Sequence, residues 1–279
     1  WRGNSERDQL QRIYGIAFAN KKELEEYLKR LEEAQKRDHR VLGEKMGIFM
    51  FSESVGPGFP LWLPNGEIIK HELTEYMRAK EESYGYKYVS TPVLTYRALY
   101  ERSGHAEYYG DNMYGLQDPE GNKLFVKPMN CPHTHMIYEK LVQSYRDLPL
   151  RLAEAGGIYR FELSGTLTGL IRVRGSITQN DSHIYVTPTQ LAGEFKKVLK
   201  LFKEVYHELG IKDYWFQLSL PDFKKNAKKF GGDKVLWKWA AEQISTVMKE
   251  SGLPYEEAVG EAAFYGPKLD IMTRNVLGK

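Results

Sequence analysis

An α+β fold with a mainly antiparallel sheet flanked by helices is predicted by two patterns in the 279-residue sequence. Short apolar runs that read as strands follow one another across brief turns. Long segments with a continuous apolar stripe at helical spacing stand between groups of strands. No internal repeat or low-complexity tract interrupts this order.

Composition sets the outer bounds. The chain is 42% hydrophobic and 28% charged, as soluble globular proteins are. No apolar run approaches the roughly 18–20 residues that span a bilayer, and the opening WRGNSERDQ lacks the apolar core of a signal peptide. A single cysteine, Cys131, excludes an intrachain disulfide and fits a reducing cytosol. The net charge of +3 does not announce nucleic acid, and KKNAKK at 224–229 reads as a solvated face.

Taken in order, residues 1–19 begin with tryptophan rather than methionine and read as the tail of an upstream segment. Asn20 with Glu23 three positions later forms a capping signature that opens a charged helix running to about Gly43. Leu24, Tyr27, Leu28 and Leu31 give that helix a narrow apolar stripe. The turn-rich SVGPGFPLWLPNG (54–66) precedes an amphipathic helix from Glu67 to Tyr84, with Asn65 as its expected cap and Gly85 as its stop. YKYVSTPVL (86–94) reads as an edge strand, because Pro92 removes a ladder donor. Short strands are expected at 112–117 and 123–128. The clearest helix spans 191–209, where Phe195, Val198, Leu199, Phe202, Val205, Tyr206 and Leu209 share a stripe and Gly210 ends it. A strand at 214–220 and a helix at 236–251 follow.

Three segments carry polar residues that a simple core would not want. In KPMNCPHTHMIY (127–138), Cys131 precedes His133 and His135. Thiolate and neutral imidazole are ligands that zinc prefers, although a lone cysteine is more often a small buried hydrophobe. In 156–186, a strand carrying Arg160 and Glu162, a Ser/Gly/Thr-rich loop and a strand starting near Arg172 could lay guanidinium groups along a polyphosphate. An ordinary hairpin with a cross-strand Arg–Glu pair explains the same residues. Along that second strand Gln179, Asp181 and His183 recur at spacing two and share a face. The third segment, EAAFYGPKLD (261–270), sets Tyr265 and Lys268 around a Gly-Pro turn.

Together these segments resemble those of a known family. GFPLWLPNGEIIKHELTEYMR with YKYVSTPVL resembles motif 1 of the class II aminoacyl-tRNA synthetases, ending at Pro92. YRFELSGTLTGLIRVRG resembles their motif 2. MNCP, TQNDSHIY and AFYGPK are similar to segments of the threonyl-tRNA synthetases within that class. The resemblance divides the chain into 1–44, the end of an upstream region plus a charged linker helix, and 45–279, a catalytic domain.

It implies a function and a site. The reaction would be ATP-dependent, Mg²⁺-assisted activation of L-threonine and transfer to the 3′ end of tRNA(Thr), in a cytoplasmic homodimer joined through motif 1. Cys131 and His183 would bind a Zn²⁺ that takes the amino and hydroxyl groups of threonine and so rejects valine. Gln179 and Asp181 would receive the substrate, with Met129 and Tyr265 lining its pocket. Arg160 would grip the α-phosphate, Glu162 would hold ATP, and Arg172 and Lys268 would contact phosphates or substrate. The sequence ends at Lys279, ahead of the family's motif 3, third zinc ligand and anticodon-binding domain, so weak adenylation by this chain alone is expected.

One departure bears on ATP. Where the family reads Arg-Gly-aromatic-Thr-Gln, this chain has Arg174-Gly175-Ser176-Ile177-Thr178-Gln179, one residue longer and without the aromatic. A β-bulge is expected to absorb the extra residue; otherwise Gln179, Asp181 and His183 would turn away from the site. Prolyl- and seryl-tRNA synthetases share the architecture, but Cys131 and His183 argue against both. A non-catalytic synthetase-like module that binds threonine, RNA or a protein partner is the alternative.

Overall fold

The computed structural model describes residues 13–225, 230 and 233–274. Residues 1–12 of the expected upstream tail and 226–229 of the basic run lie outside the described residues. In chain order the elements are α1 (Lys21–Lys36), α2 (His39–Lys45), β1 (Phe49–Met50), β2 (Leu61–Trp62), α3 (Pro64–Ser83), β3 (Lys87–Tyr88), β4 (Leu94–Tyr96), α4 (Arg97–Arg102) and α5 (His105–Tyr109). There follow β5 (Gly115–Gln117), β6 (Lys123–Val126), α6 (Cys131–Leu141), β7 (Leu150–Ile158), β8 (Ile177–Tyr185), α7 (Leu191–Glu208), β9 (Tyr214–Leu220), α8 (Lys234–Ser251), β10 (Tyr255–Val259) and β11 (Lys268–Thr273).

The strands form small sheets rather than one large one: β1-β2, β4-β6-β5, β3-β7-β8 and β10-β9-β11. Antiparallel pairing dominates, as expected. The exceptions among the described strands are β3 with β7 and β10 with β9, which run parallel.

Local chemistry accounts for the element ends. Asn20 Oδ1 accepts from the Glu23 amide while Glu23 Oε1 accepts from Asn20 Nδ2, so the first helix starts where expected. The single charged helix is in fact two. It stops at Arg37, and Asp38 caps α2 by accepting from the Arg40 amide. The third helix starts three residues early, because Pro64 at its first position needs no amide partner. Asn65 is therefore inside the helix and does not cap it; its amide donates to Met46 O. Pro92 breaks the expected 86–94 strand into β3 and β4. Gly210, at φ +73°, ends α7 as expected.

The broad stripe of α7 serves two layers. Leu201 and Val205 pack with Tyr86 and with Ala153 of β7. Leu199 instead joins Phe216 of β9 and Val247 and Met248 of α8. One helix thus ties the sheet that carries the site residues to the β10-β9-β11 sheet.

Beneath the β3-β7-β8 sheet lies a buried ionic knot. Lys127 and Glu154 are 1% and 6% exposed, and Lys127 Nζ stands 3.1 Å from Glu154 Oε1. Thr91 completes it: its amide and hydroxyl donate to the carboxylate, and its Oγ1 accepts from Lys127. Two charges taken out of water at this depth need every bond they make. We expect Lys127→Met and Glu154→Gln each to cost about 3–5 kcal/mol in urea unfolding, by stranding the partner charge or its acceptors. Lys127→Met combined with Glu154→Leu should cost well under the sum.

Candidate active site

The loop between β6 and α6 is pinned on several sides. Lys127 is anchored in the knot, the Lys127 amide donates to Val93 O, and Tyr100, wholly buried, donates its hydroxyl to Met129 O at 2.8 Å. Cys131 is thereby fixed at the first turn of α6, with Pro132 beside it.

Opposite the loop, β8 pairs with β7 without interruption from Leu150↔Tyr185 to Ile158↔Ile177. No bulge lies inside this ladder. The connection ahead of the strand runs through Gly175 and Ser176, and the unbroken register corrects the expectation of a bulge. Gly175 is required there: a Cβ would sit 2.1 Å from the Tyr159 ring. The strand keeps its phase, so Gln179, Asp181 and His183 are half-buried while Thr178, Asn180 and Ser182 are exposed.

A cavity of about 320 Å³ opens between loop and strand. Met129, Cys131, Arg160, Glu162, Gln179, Asp181 and Tyr265 line it. Tyr109, Asn112, Met113 and Pro128 line it as well and were not foreseen, being ordinary aromatic, amide and apolar positions in sequence. Arg160 and Glu162 lie past the end of β7 rather than on a strand; the Arg160 amide donates to Arg174 O and its Nε to Pro128 O at 3.2 Å. Arg172 stands outside the cavity lining and pairs with Glu162 at 3.5 Å, the cross-hairpin pair that the sequence also allowed. Lys268 is engaged with Asp270 at 2.6 Å on β11 and is likewise absent from the lining.

Ligand atoms of Cys131, Asp181 and His183 all lie within 4.8 Å of one another. Thiol, carboxylate and imidazole at this spacing can hold a divalent metal. Burial pushes the Cys131 thiol up to about 11, and the Asp181 carboxylate adds to the shift. Burial also holds His183 below its ordinary value, so the imidazole is in its neutral, ligating form at pH 7. His135 donates to or accepts from the Tyr185 hydroxyl at 2.9 Å and meets the His183 ring edge-on. His133 is buried edge-on against Tyr100. Neither belongs to the ligand cluster found among the described residues. Gln179 Oε1 is buried without a hydrogen-bond partner, an acceptor suited to an incoming donor.

Residues 114–279 match the family described as the tRNA synthetase class II core domain (G, H, P, S and T). A threonine–tRNA ligase of Anoxybacillus flavithermus is 49% identical over the whole of this chain, which covers 43% of that protein. Threonine–tRNA ligase 1 of Bacillus subtilis is 47% identical over the whole chain, again 43% of its length. The chain thus spans less than half of the curated relatives it matches. Among solved structures, the RNA binding domain of threonyl-tRNA synthetase from Cryptosporidium parvum Iowa II superposes with a TM-score of 0.79 at 35% identity, over 87% of this chain and 59% of that one. A prolyl-tRNA synthetase of Giardia lamblia, at 16% identity and TM-score 0.58 over 70% of this chain and 38% of that one, shares the fold.

The raised thiol makes a direct prediction. In the presence of a chelator at pH 7.5, iodoacetamide should alkylate Cys131 roughly two orders of magnitude more slowly than free cysteine, because so little thiolate is present. Intact-mass spectrometry reads this cleanly, since the chain has one cysteine.

Proposed function

The chain belongs to the class II tRNA synthetase core-domain family, and from that premise we propose that it activates L-threonine with ATP and passes the threonyl group to the 3′ end of tRNA(Thr). The observation that carries this reading is the meeting of Cys131 with Gln179 and Asp181 at one cavity, with a His183 ligand atom within 4.8 Å of those of Cys131 and Asp181. The catalytic unit would be 45–279, and residues 1–44 would end an upstream region.

A Zn²⁺ held by Cys131 and His183 would supply an open coordination position for the amino and hydroxyl groups of threonine. Gln179 accepts from the substrate ammonium through its unpartnered Oε1, and Asp181 accepts from the side-chain hydroxyl. Valine fits the same volume but leaves one Asp181 oxygen without a donor in a half-buried site. A pocket built for a hydroxyl rejects its isostere far better than an apolar slot does. Met129 and Tyr265 close the walls.

Activation is in-line attack by a threonine carboxylate oxygen on the α-phosphorus. The new C–O–P bond forms as the bond to pyrophosphate breaks, and the electron pair leaves with pyrophosphate. Arg160 holds the α-phosphate and neutralises charge that builds on its oxygens. Glu162 orients ATP, which enters with Mg²⁺, and Arg172 with Lys268 reach phosphates once released from Glu162 and Asp270. Positioning and charge neutralisation carry this chemistry, without a protein nucleophile. The exposed apolar residues Ile68, Ile69 and Leu73 of α3, beside Trp62 and Met77, support pairing of two copies through motif 1. No helix among the described residues is long and apolar enough to cross a membrane, and one lone cysteine fits a cytoplasmic setting.

Ser176 and Ile177 favour a second reading, threonine binding without adenylate formation, because neither offers an aromatic face to adenine. Threonine-dependent ATP–pyrophosphate exchange separates the two. Zinc-loaded chain should bind threonine at least tenfold more tightly than valine, and equal binding would overturn the site assignment. Cys131→Ser should lower both zinc retention and threonine affinity, roughly ten- to hundredfold.

The pH dependence has a fixed sign. A thiol raised to about 11 is protonated at neutral pH and must lose its proton to ligate. Zinc affinity should therefore rise with pH, about tenfold per unit between pH 7 and 9, in chelator-competition titrations.

A further inference from the structure

We infer that Asn130 is a positioning residue for Asp181, fixing the carboxylate that reads the substrate hydroxyl; this rests on the reading just proposed for Asp181. Asn130 stands at the N-cap of α6, where an asparagine ordinarily turns its side chain onto the first amides of its own helix. It does not do so. Its Nδ2 instead crosses 51 residues of sequence to donate to Asp181 Oδ2 at 3.2 Å. The side chain is 0% exposed and its Oδ1 has no partner, so burial at this place costs stability that helix capping does not return.

The surroundings are shaped to admit this amide. Gly156, paired with Gln179 across the β7–β8 ladder, faces it, and a Cβ there would come within 3.0 Å of Asn130 Oδ1. The terminal torsion of an aspartate is broad and roughly twofold, so a carboxylate on a strand has no preferred in-plane orientation of its own. One bond from a rigid, buried amide removes that freedom. It engages Oδ2 and leaves the other oxygen as the acceptor for threonine.

The test uses the zinc-loaded chain, with threonine and valine affinities from calorimetric titration, zinc content from mass spectrometry and a melting curve for each variant. Asn130→Ala should weaken threonine binding roughly ten- to hundredfold while valine affinity stays within about twofold and zinc content is unchanged. Asn130→Ser is run beside it, so that a folding defect in one variant leaves the other to decide. In Asp181→Ala the further change Asn130→Ala should cost little, because the acceptor of its bond has gone. Parallel weakening of threonine and valine, loss of zinc, or unchanged affinities in both variants would overturn the inference. If the unaltered chain fails to prefer threonine over valine, the proposed function falls first; if it prefers threonine and the Asn130 variants keep that preference, only the role of Asn130 falls.

Discussion

The Lys127–Glu154–Thr91 knot fixes the frame on which the site is built. It joins three stretches that are remote in sequence: the segment before Pro92, the centre of β7, and the approach to α6. Glu154 is the register partner of Asp181, and Lys127 lies four residues before Cys131. The two halves of the ligand cluster are thus held by opposite ends of one ion pair. A pair this deep adds little net stability over an apolar substitute, but it tolerates no sliding, because each partner must keep the other. The pay-off is geometric.

Around that frame the site is kept electrically quiet. Burial disfavours charge on Cys131, His183, His135 and His133 alike. Behind β8, Asn180 and Tyr88 donate to the buried Glu81 of α3, whose carboxyl burial pushes upward. Charge at the cavity itself comes from Arg160, Glu162 and Asp181. Such surroundings strengthen whatever electrostatic contacts a charged ligand makes there.

Much of this was legible in the sequence, where local rules suffice. The Asn20 cap, the stripe of α7, the strand at 214–220 and the period-two face of Gln179, Asp181 and His183 all follow from spacing along one segment. What failed depended on partners elsewhere. Asn65 reads as a cap until Met46 O is seen to claim its amide. Nothing beside Lys127 in sequence announces that Glu154 will be brought against it. The bond from Asn130 to Asp181 has no signature within any window of sequence. The bulge expected near Ser176 failed differently: it treated the strand as the only place where an extra residue could go.

The unbroken ladder of β8 has a wider consequence. Nine consecutive cross-strand pairs lock β8 to β7, and a slip by one would exchange the inward and outward rows along the whole length. The connection ahead of them carries no such penalty, so it behaves as an expansion joint in a rail. Changes in length arriving there are spent before they reach the rigid track, and the rim of the cavity can be rebuilt while the face of Gln179, Asp181 and His183 stays where it was.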